Sequence, residues 1–140
     1  MYKESTRKFR VVNLTPHNIN FVKPFNVEIG RDKIGTPEYI TEERTYTLPP
    51  SGQVARCKVD REKIDSVWTE DIDGWDITVP VTSARFGEVE GLPEPQEGTI
   101  YIVSNLVAQA VPHRDDVFFP DDVVRDENGN IIGCRSLGKV

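Results

Sequence analysis

Cysteine is nearly absent from this 140-residue sequence: Cys57 and Cys134 are the only two. Two are too few for a secreted scaffold stapled by disulfides, and a chain of this length buries roughly two thirds of its unfolded surface around one core without such help. No apolar run approaches the roughly 20 residues that span a bilayer. The opening MYKESTRKFR has no apolar stretch of the kind a signal peptide requires. These absences lead us to expect a soluble protein of a reducing cytoplasm, with no membrane partner. Basic residues are outnumbered 17 to 23, giving a net charge of −6. That balance opposes binding to long nucleic acid, because nothing offsets repulsion by the phosphate backbone. A small phosphorylated ligand remains compatible, since it needs only two or three local arginines and some backbone amides.

Catalytic signatures are scarce as well. The two histidines, His17 and His113, each follow a proline directly, and the carboxylates near His113 (Asp115, Asp116, Asp121, Asp122) follow no metal-binding spacing. No metal and no cofactor are expected. The chain contains neither a GxSxG elbow nor a GxxxxGK[ST] loop, so the common motif-borne hydrolase and NTPase chemistries lose support. Cys57 and Cys134 sit in apolar strand patterns, QVARCKV and IIGCRSL, where a cysteine usually serves as a small buried hydrophobe.

What the chain does have is strand pattern and turn residues. FRVVNLT (9 to 15) and NINFV (18 to 22) read as a hairpin around TPH, and RTYTLPP with QVARCKV repeats the design about Pro49, Pro50, Ser51 and Gly52. TVPVTSARFGEV is rich in β-branched residues, and TIYIVS is the most convincing strand. In DDVVRDENGNIIGCRSL two apolar segments flank Asn128 and Gly129, a pair suited to positive φ in a tight turn, so segments 122 to 126 and 131 to 137 should pair antiparallel. At least five strands are implied. Helix is limited to REKIDSVW (61 to 68) after Asp60 as N-cap and to NLVAQAV before Pro112. Residues 23 to 43 and the Pro/Gly-rich 90 to 98 read as loops. The expected fold is therefore a single mainly β (α+β) domain over 1 to 140, built of antiparallel strands and hairpins with one or two short helices.

The stretch GTIYIVSNLVAQAVPHRDD (98 to 116) is the best candidate for a ligand site. A buried strand, Ile100 to Val103, delivers Ser104 and Asn105 to the start of a short helix, where free backbone N–H groups attract an anion. Both residues are also favoured N-caps, so simple capping is the competing explanation. Arginines tip the balance toward a ligand: Arg114, Arg125 and Arg135 are near in sequence or hairpin register, and Arg56 and Arg85 lie on other strands. Arginine forks bind phosphate bidentately and stack on bases. Phe86, in SARFGEV, would be an aromatic plate for a base if it faces the same pocket, and one of Phe118 and Phe119 should point outward. Core packing is the default for each.

The blocks NLTPHNI, PPSGQVAR, FGEVEGLPEPQEGTIYIVSNLVAQAVPHRDDVFFPDD and VRDENGNIIGCRSL resemble a set of small phage and prophage proteins that includes the Thoeris anti-defence sponges. The resemblance runs from residue 11 onward and is weakest over 23 to 43 and 60 to 76. It implies a non-enzymatic binding protein, acting in the cytoplasm of an infected cell, that sequesters cyclic ADP-ribose isomers and in some members cyclic oligonucleotides. It also implies a homo-oligomer built from dimers, up to a hexamer, with ligand sites at subunit contacts. The family's Ser and Asn after the strand correspond to Ser104 and Asn105, and its arginine ahead of the final turn to Arg125. Arg56, Phe86 and, more weakly, Arg114 are added from their chemistry alone. The insert from Lys23 to Arg44 has no counterpart. The alternatives are an enzyme that degrades the same signal, such as a phosphodiesterase, and a phage structural or assembly protein.

Overall fold

The segment Thr99–Val103 is apolar at every position after the first, as expected for a strand covered on both faces, and the fold is built around it. The computed structural model describes residues 7–140; residues 1–6, part of the stretch read above for a leader, lie outside them. The described residues form eight strands and one helix: β1 (Arg10–Asn13), β2 (Ile19–Arg31), β3 (Pro37–Leu48), β4 (Arg56–Ile72), β5 (Trp75–Glu90), β6 (Thr99–Ile102), α1 (Asn105–Ala110), β7 (Val117–Arg125) and β8 (Ile131–Gly138). Strand predominates, as the sequence indicated. Six strands form one mixed sheet in the order β1-β6-β7-β8-β2-β3, and β4 and β5 form a separate ribbon.

The strand β6 divides the core. Tyr101 and Val103 pack to one side with Leu14, Ala55, Val107, Ala108 and Val117, under α1. Ile102 packs to the other side with Ile19 and Cys134. This is the period-two geometry of a central strand. The β7–β8 hairpin forms where expected, with Val123 opposite Cys134 and Arg125 opposite Ile131. Its turn is fixed by Gly129 at φ +83° and by the Asp126 carboxylate, which accepts from the Asn128 and Asn130 amides at 2.9 Å each. Those amide donors hold the Asp126 carboxyl below the usual carboxylate range. Cys134 is buried, and burial pushes its thiol up; Cys57 is half-buried against the core.

Four local expectations are corrected. The segments 9–15 and 18–22 do not pair with each other: β1 runs parallel to β6, and β2 lies between β8 and β3. Nor do RTYTLPP and QVARCKV pair, because β3 returns on β2 and β4 on β5. Residues 23–43, read as a loop, are mostly the outer part of the β2–β3 hairpin. Its polar side chains pair across strands, as where the Thr41 hydroxyl donates to Asn26 at 3.0 Å and the Arg44 guanidinium stacks 3.4 Å from the Phe25 ring centroid. Finally, REKIDSVW lies inside β4. Ile64, Val67 and Trp68 have helical spacing, but the segment pairs with TVPVTSAR of β5, and Asp60 sits opposite Arg85 instead of capping a helix. Strand pairing overrides the weak local helix signal. The 91–98 segment is irregular, as expected. No helix among the described residues is long and apolar enough to cross a membrane.

Candidate functional site

The cleft is shaped by one buried side chain, Asn13, at the end of β1. It is 1% exposed. Its Nδ2 donates to the backbone carbonyls of His17 (2.8 Å) and Leu48 (3.1 Å), and its Oδ1 accepts from the Thr15 amide (2.9 Å) and hydroxyl (2.7 Å). A short amide side chain thereby replaces the backbone pairing that the loop 14–18 lacks. The loop is held as a ridge of Thr15, Pro16 and His17 beside the end of β6. Leu14 donates its amide to Ile102 (2.8 Å), which ties that ridge to the strand that delivers Ser104.

A cavity lies on each side of the ridge, and Thr15, Pro16 and Ser104 line both. The larger, about 520 Å³, has an apolar floor from Ile19, Pro120, Val123, Ile131, Ile132 and Cys134, with His17, Asn18 and Asn20 as polar groups. The smaller, about 310 Å³, lies between the ridge, β4 and α1, with Leu14, Val54, Ala55, Leu106 and Val107 in its wall and Arg56 as its one charged residue. Volumes of this order suit a small organic ligand.

Ser104 is an N-cap: its hydroxyl accepts from the Val107 amide at 3.3 Å, with its own backbone extended at φ −65°, ψ 156°. Ser104→Ala should therefore lower stability by about 1 kcal/mol, read as a lower midpoint in thermal melting with the core otherwise unchanged. Asn105 opens the helix, and its Oδ1 accepts from Gln109 Nε2 at 2.7 Å; it lines neither cavity. Arg125 stands at the end of β7 and donates Nη1 to the Gly129 carbonyl at 2.8 Å, outside the lining residues. Phe86 sits opposite Val59 on the β4–β5 ribbon and is exposed, away from both cavities.

Arg114 serves the fold. Its Nε and Nη2 bond the two oxygens of Asp116 at 2.8 and 2.9 Å, and Nη2 also donates to the Pro93 carbonyl at 2.9 Å. The pair ties the 91–98 loop to the segment before β7. Of the residues selected from sequence, Ser104 and Arg56 are brought together; Asn105, Arg125, Phe86 and Arg114 are not. The sequence reading missed Thr15, Asn18 and Asn20, and it weighed His17 only as an acid, base or metal ligand before setting it aside. Their only signal was the polar cluster in NLTPHNIN, which read as a turn.

Phe119 packs on the core and Phe118 lies under Lys139, its ring 5.4 Å from Nζ. Among the described residues, no group of three or more His, Cys, Asp and Glu side chains is placed to hold a metal ion. No family model, no curated protein and no solved structure matches the chain.

Proposed function

We propose that this protein is a non-enzymatic, cytoplasmic sponge that binds and sequesters a cyclic nucleotide signal of anti-phage defence, of the cyclic ADP-ribose type. The observation that carries the reading is the join at Ser104 between an apolar cavity and a smaller one that contains Arg56. A nucleotide presents that same pair of chemistries, a flat base that gains by leaving water and an anionic phosphate that gains from a guanidinium and hydroxyl donors. His17, Asn18 and Asn20 add polar groups for the edge of a base or a ribose. The sequence resemblance to anti-defence sponges selects the cyclic ADP-ribose isomers among nucleotides.

Nanomolar retention takes about 12 kcal/mol, within reach of a few charge-assisted bonds at roughly 1.5–3 kcal/mol each plus apolar burial. Incubation with cyclic ADP-ribose isomers, removal of free ligand, heating and chromatography of what is released tests the function: intact ligand is expected. Altered ligand would mean an enzyme. No retained ligand overturns the proposal and favours the second reading, an assembly protein, which the two long exposed ribbons independently suit. For the site, Arg56→Ala should weaken binding about 30-fold in calorimetric titration, whereas Lys33→Ala, at the far end of the β2–β3 hairpin, should leave it unchanged. Binding by Arg56→Ala at parental strength removes Arg56 from the site.

A further inference from the structure

The β4–β5 ribbon presents two unlike faces. Residues directly opposite each other in an antiparallel ladder share a face, and successive residues alternate between faces. In the outer half of the ribbon, residues 64–82, Ile72 with Trp75, Thr69 with Ile77, Val67 with Val79 and Asp65 with Val81 therefore lie on one face. Trp68 with Thr78 and Ser66 with Pro80 lie on the other. The first face is an apolar stripe on which Val67, Ile72, Trp75, Ile77 and Val79 are all exposed. Trp75 is 72% exposed and contributes roughly 180 Å² by itself, so the stripe reaches the few hundred Å² that mark an interaction site on a monomer. From Trp75 to Val81 it runs about 20 Å. No third strand joins β4 and β5, and a two-stranded ribbon is marginal in water unless something covers it.

Charge on this face decides what can cover it. Asp65 closes the inner end of the stripe, and Asp71 and Asp73 stand at the hairpin tip. The outer half contains no Lys or Arg. Further in, the same face carries Asp60 opposite Arg85 and Glu62 opposite Ser83, while Lys63 and Arg61 fall on the reverse face opposite Thr82 and Ala84. Carboxylates at both ends of an apolar stripe suit an apolar partner with cationic flanks. An anionic membrane surface meets repulsion from the same groups, and the same face of a second copy would set these carboxylates against their like. An extended segment laid on the stripe would bury unpaired backbone amides and carbonyls, whereas a helix satisfies its own. The chain does not supply that helix: α1 (Asn105–Ala110), the one helix among the described residues, has no charged side chain and buries Val107 and Ala108 in the core.

We infer that this face of the β4–β5 ribbon docks a cationic amphipathic helix of a partner protein. The apolar side of the helix lies along Trp75, Ile77 and Val79, and its Lys or Arg side chains reach the carboxylates at the two ends. About 13 helical residues cover 20 Å at 1.5 Å per residue, so cations in the first and last turns meet Asp65 and the Asp71–Asp73 tip together. Docking there needs neither cavity.

The two tryptophans of the chain, Trp68 and Trp75, lie on opposite faces of the ribbon, so intrinsic fluorescence tells one face from the other. The probe is a synthetic helix of about four turns, leucine along one side and lysine along the other, titrated into the full chain. In Trp68→Phe, which keeps Trp75, emission should shift to the blue and saturate; in Trp75→Phe, which keeps Trp68, it should not move. Asp65→Asn with Asp73→Asn should weaken peptide binding about tenfold, and the same peptide with glutamate in place of lysine should not bind. Thermal melting checks that each variant stays folded. The inference is overturned if Trp75 does not respond, if Trp68 responds equally, or if the glutamate peptide or the Asp65→Asn, Asp73→Asn variant binds as tightly. It is overturned too if Trp75 is already blue-shifted without peptide and moves to the red on dilution, which would place a second copy on this face.

Discussion

Asn13→Ala should destabilise the protein by about 3 kcal/mol and abolish ligand retention in the same variant. The side chain is fully buried and makes four hydrogen bonds. Truncation strands the Thr15 amide and the carbonyls of His17 and Leu48 in a part-buried loop, and each unsatisfied group costs roughly 1–3 kcal/mol. For a chain of this size that corresponds to a fall in Tm of about 10 °C. Because Thr15 and Pro16 line both cavities, the loop that relaxes is the wall the ligand would lose. Thermal melting and the retention assay on the same preparation check both effects. A variant that melts like the parent would show that the Thr15–His17 ridge is held by something other than Asn13.

Asp116→Asn should cost about 3 kcal/mol, because it leaves the Arg114 guanidinium charged and without its carboxylate where only 14% of its side chain is exposed. The Arg114 hydrogen bond holds the Asp116 carboxyl below the usual carboxylate range, although burial opposes this, and it raises Arg114 in turn. Since the folded value is depressed, the stabilisation is complete above the ordinary aspartate value of about 3.9 and is lost as pH falls through the lower folded one. Arg114 stays protonated throughout and sets no window of its own. Urea unfolding of the parent should therefore show a loss of stability below about pH 4 that is reduced in Asp116→Asn. An unchanged acid limb would mean that other carboxylates govern it.

The sequence made some features legible and hid others for physical reasons. The β7–β8 hairpin could be read because the Asn128–Gly129 pair signals a turn, although Gly129 alone of the two takes positive φ and Asp126 holds the rest, and α1 because Ser104 caps it and Pro112 follows it. FRVVNLT and QVARCKV were legible as strands from apolar residues bounded by turn residues, but that pattern says nothing about which strand a segment joins. The partner of β1 is set by the fit of Val11 and Val12 alongside Ile100 and Tyr101, a contact no local window contains. The outer β2–β3 ribbon was hidden because Glu38, Glu42, Glu43 and Arg44 are poor strand formers in isolation. They stay extended here because cross-strand bonds hold them. Ser104 and Arg56 were legible as site candidates by residue type. The Thr15–Asn20 wall was not, since its place depends on the buried amide of Asn13, a residue that reads as an ordinary strand end.

The parallel pairing of β1 with β6 has a consequence for the time the chain takes to fold. Arg10 meets Thr99 across about 90 intervening residues, so closing that gap costs far more chain entropy than any hairpin turn and precedes the contacts that reward it. The β2–β3, β4–β5 and β7–β8 pairs each join neighbouring segments and can form early. The central strand is paired on both edges only when β1 meets a segment made much later. Until then β6 has a free edge, and both ribbons are already long enough to meet other chains.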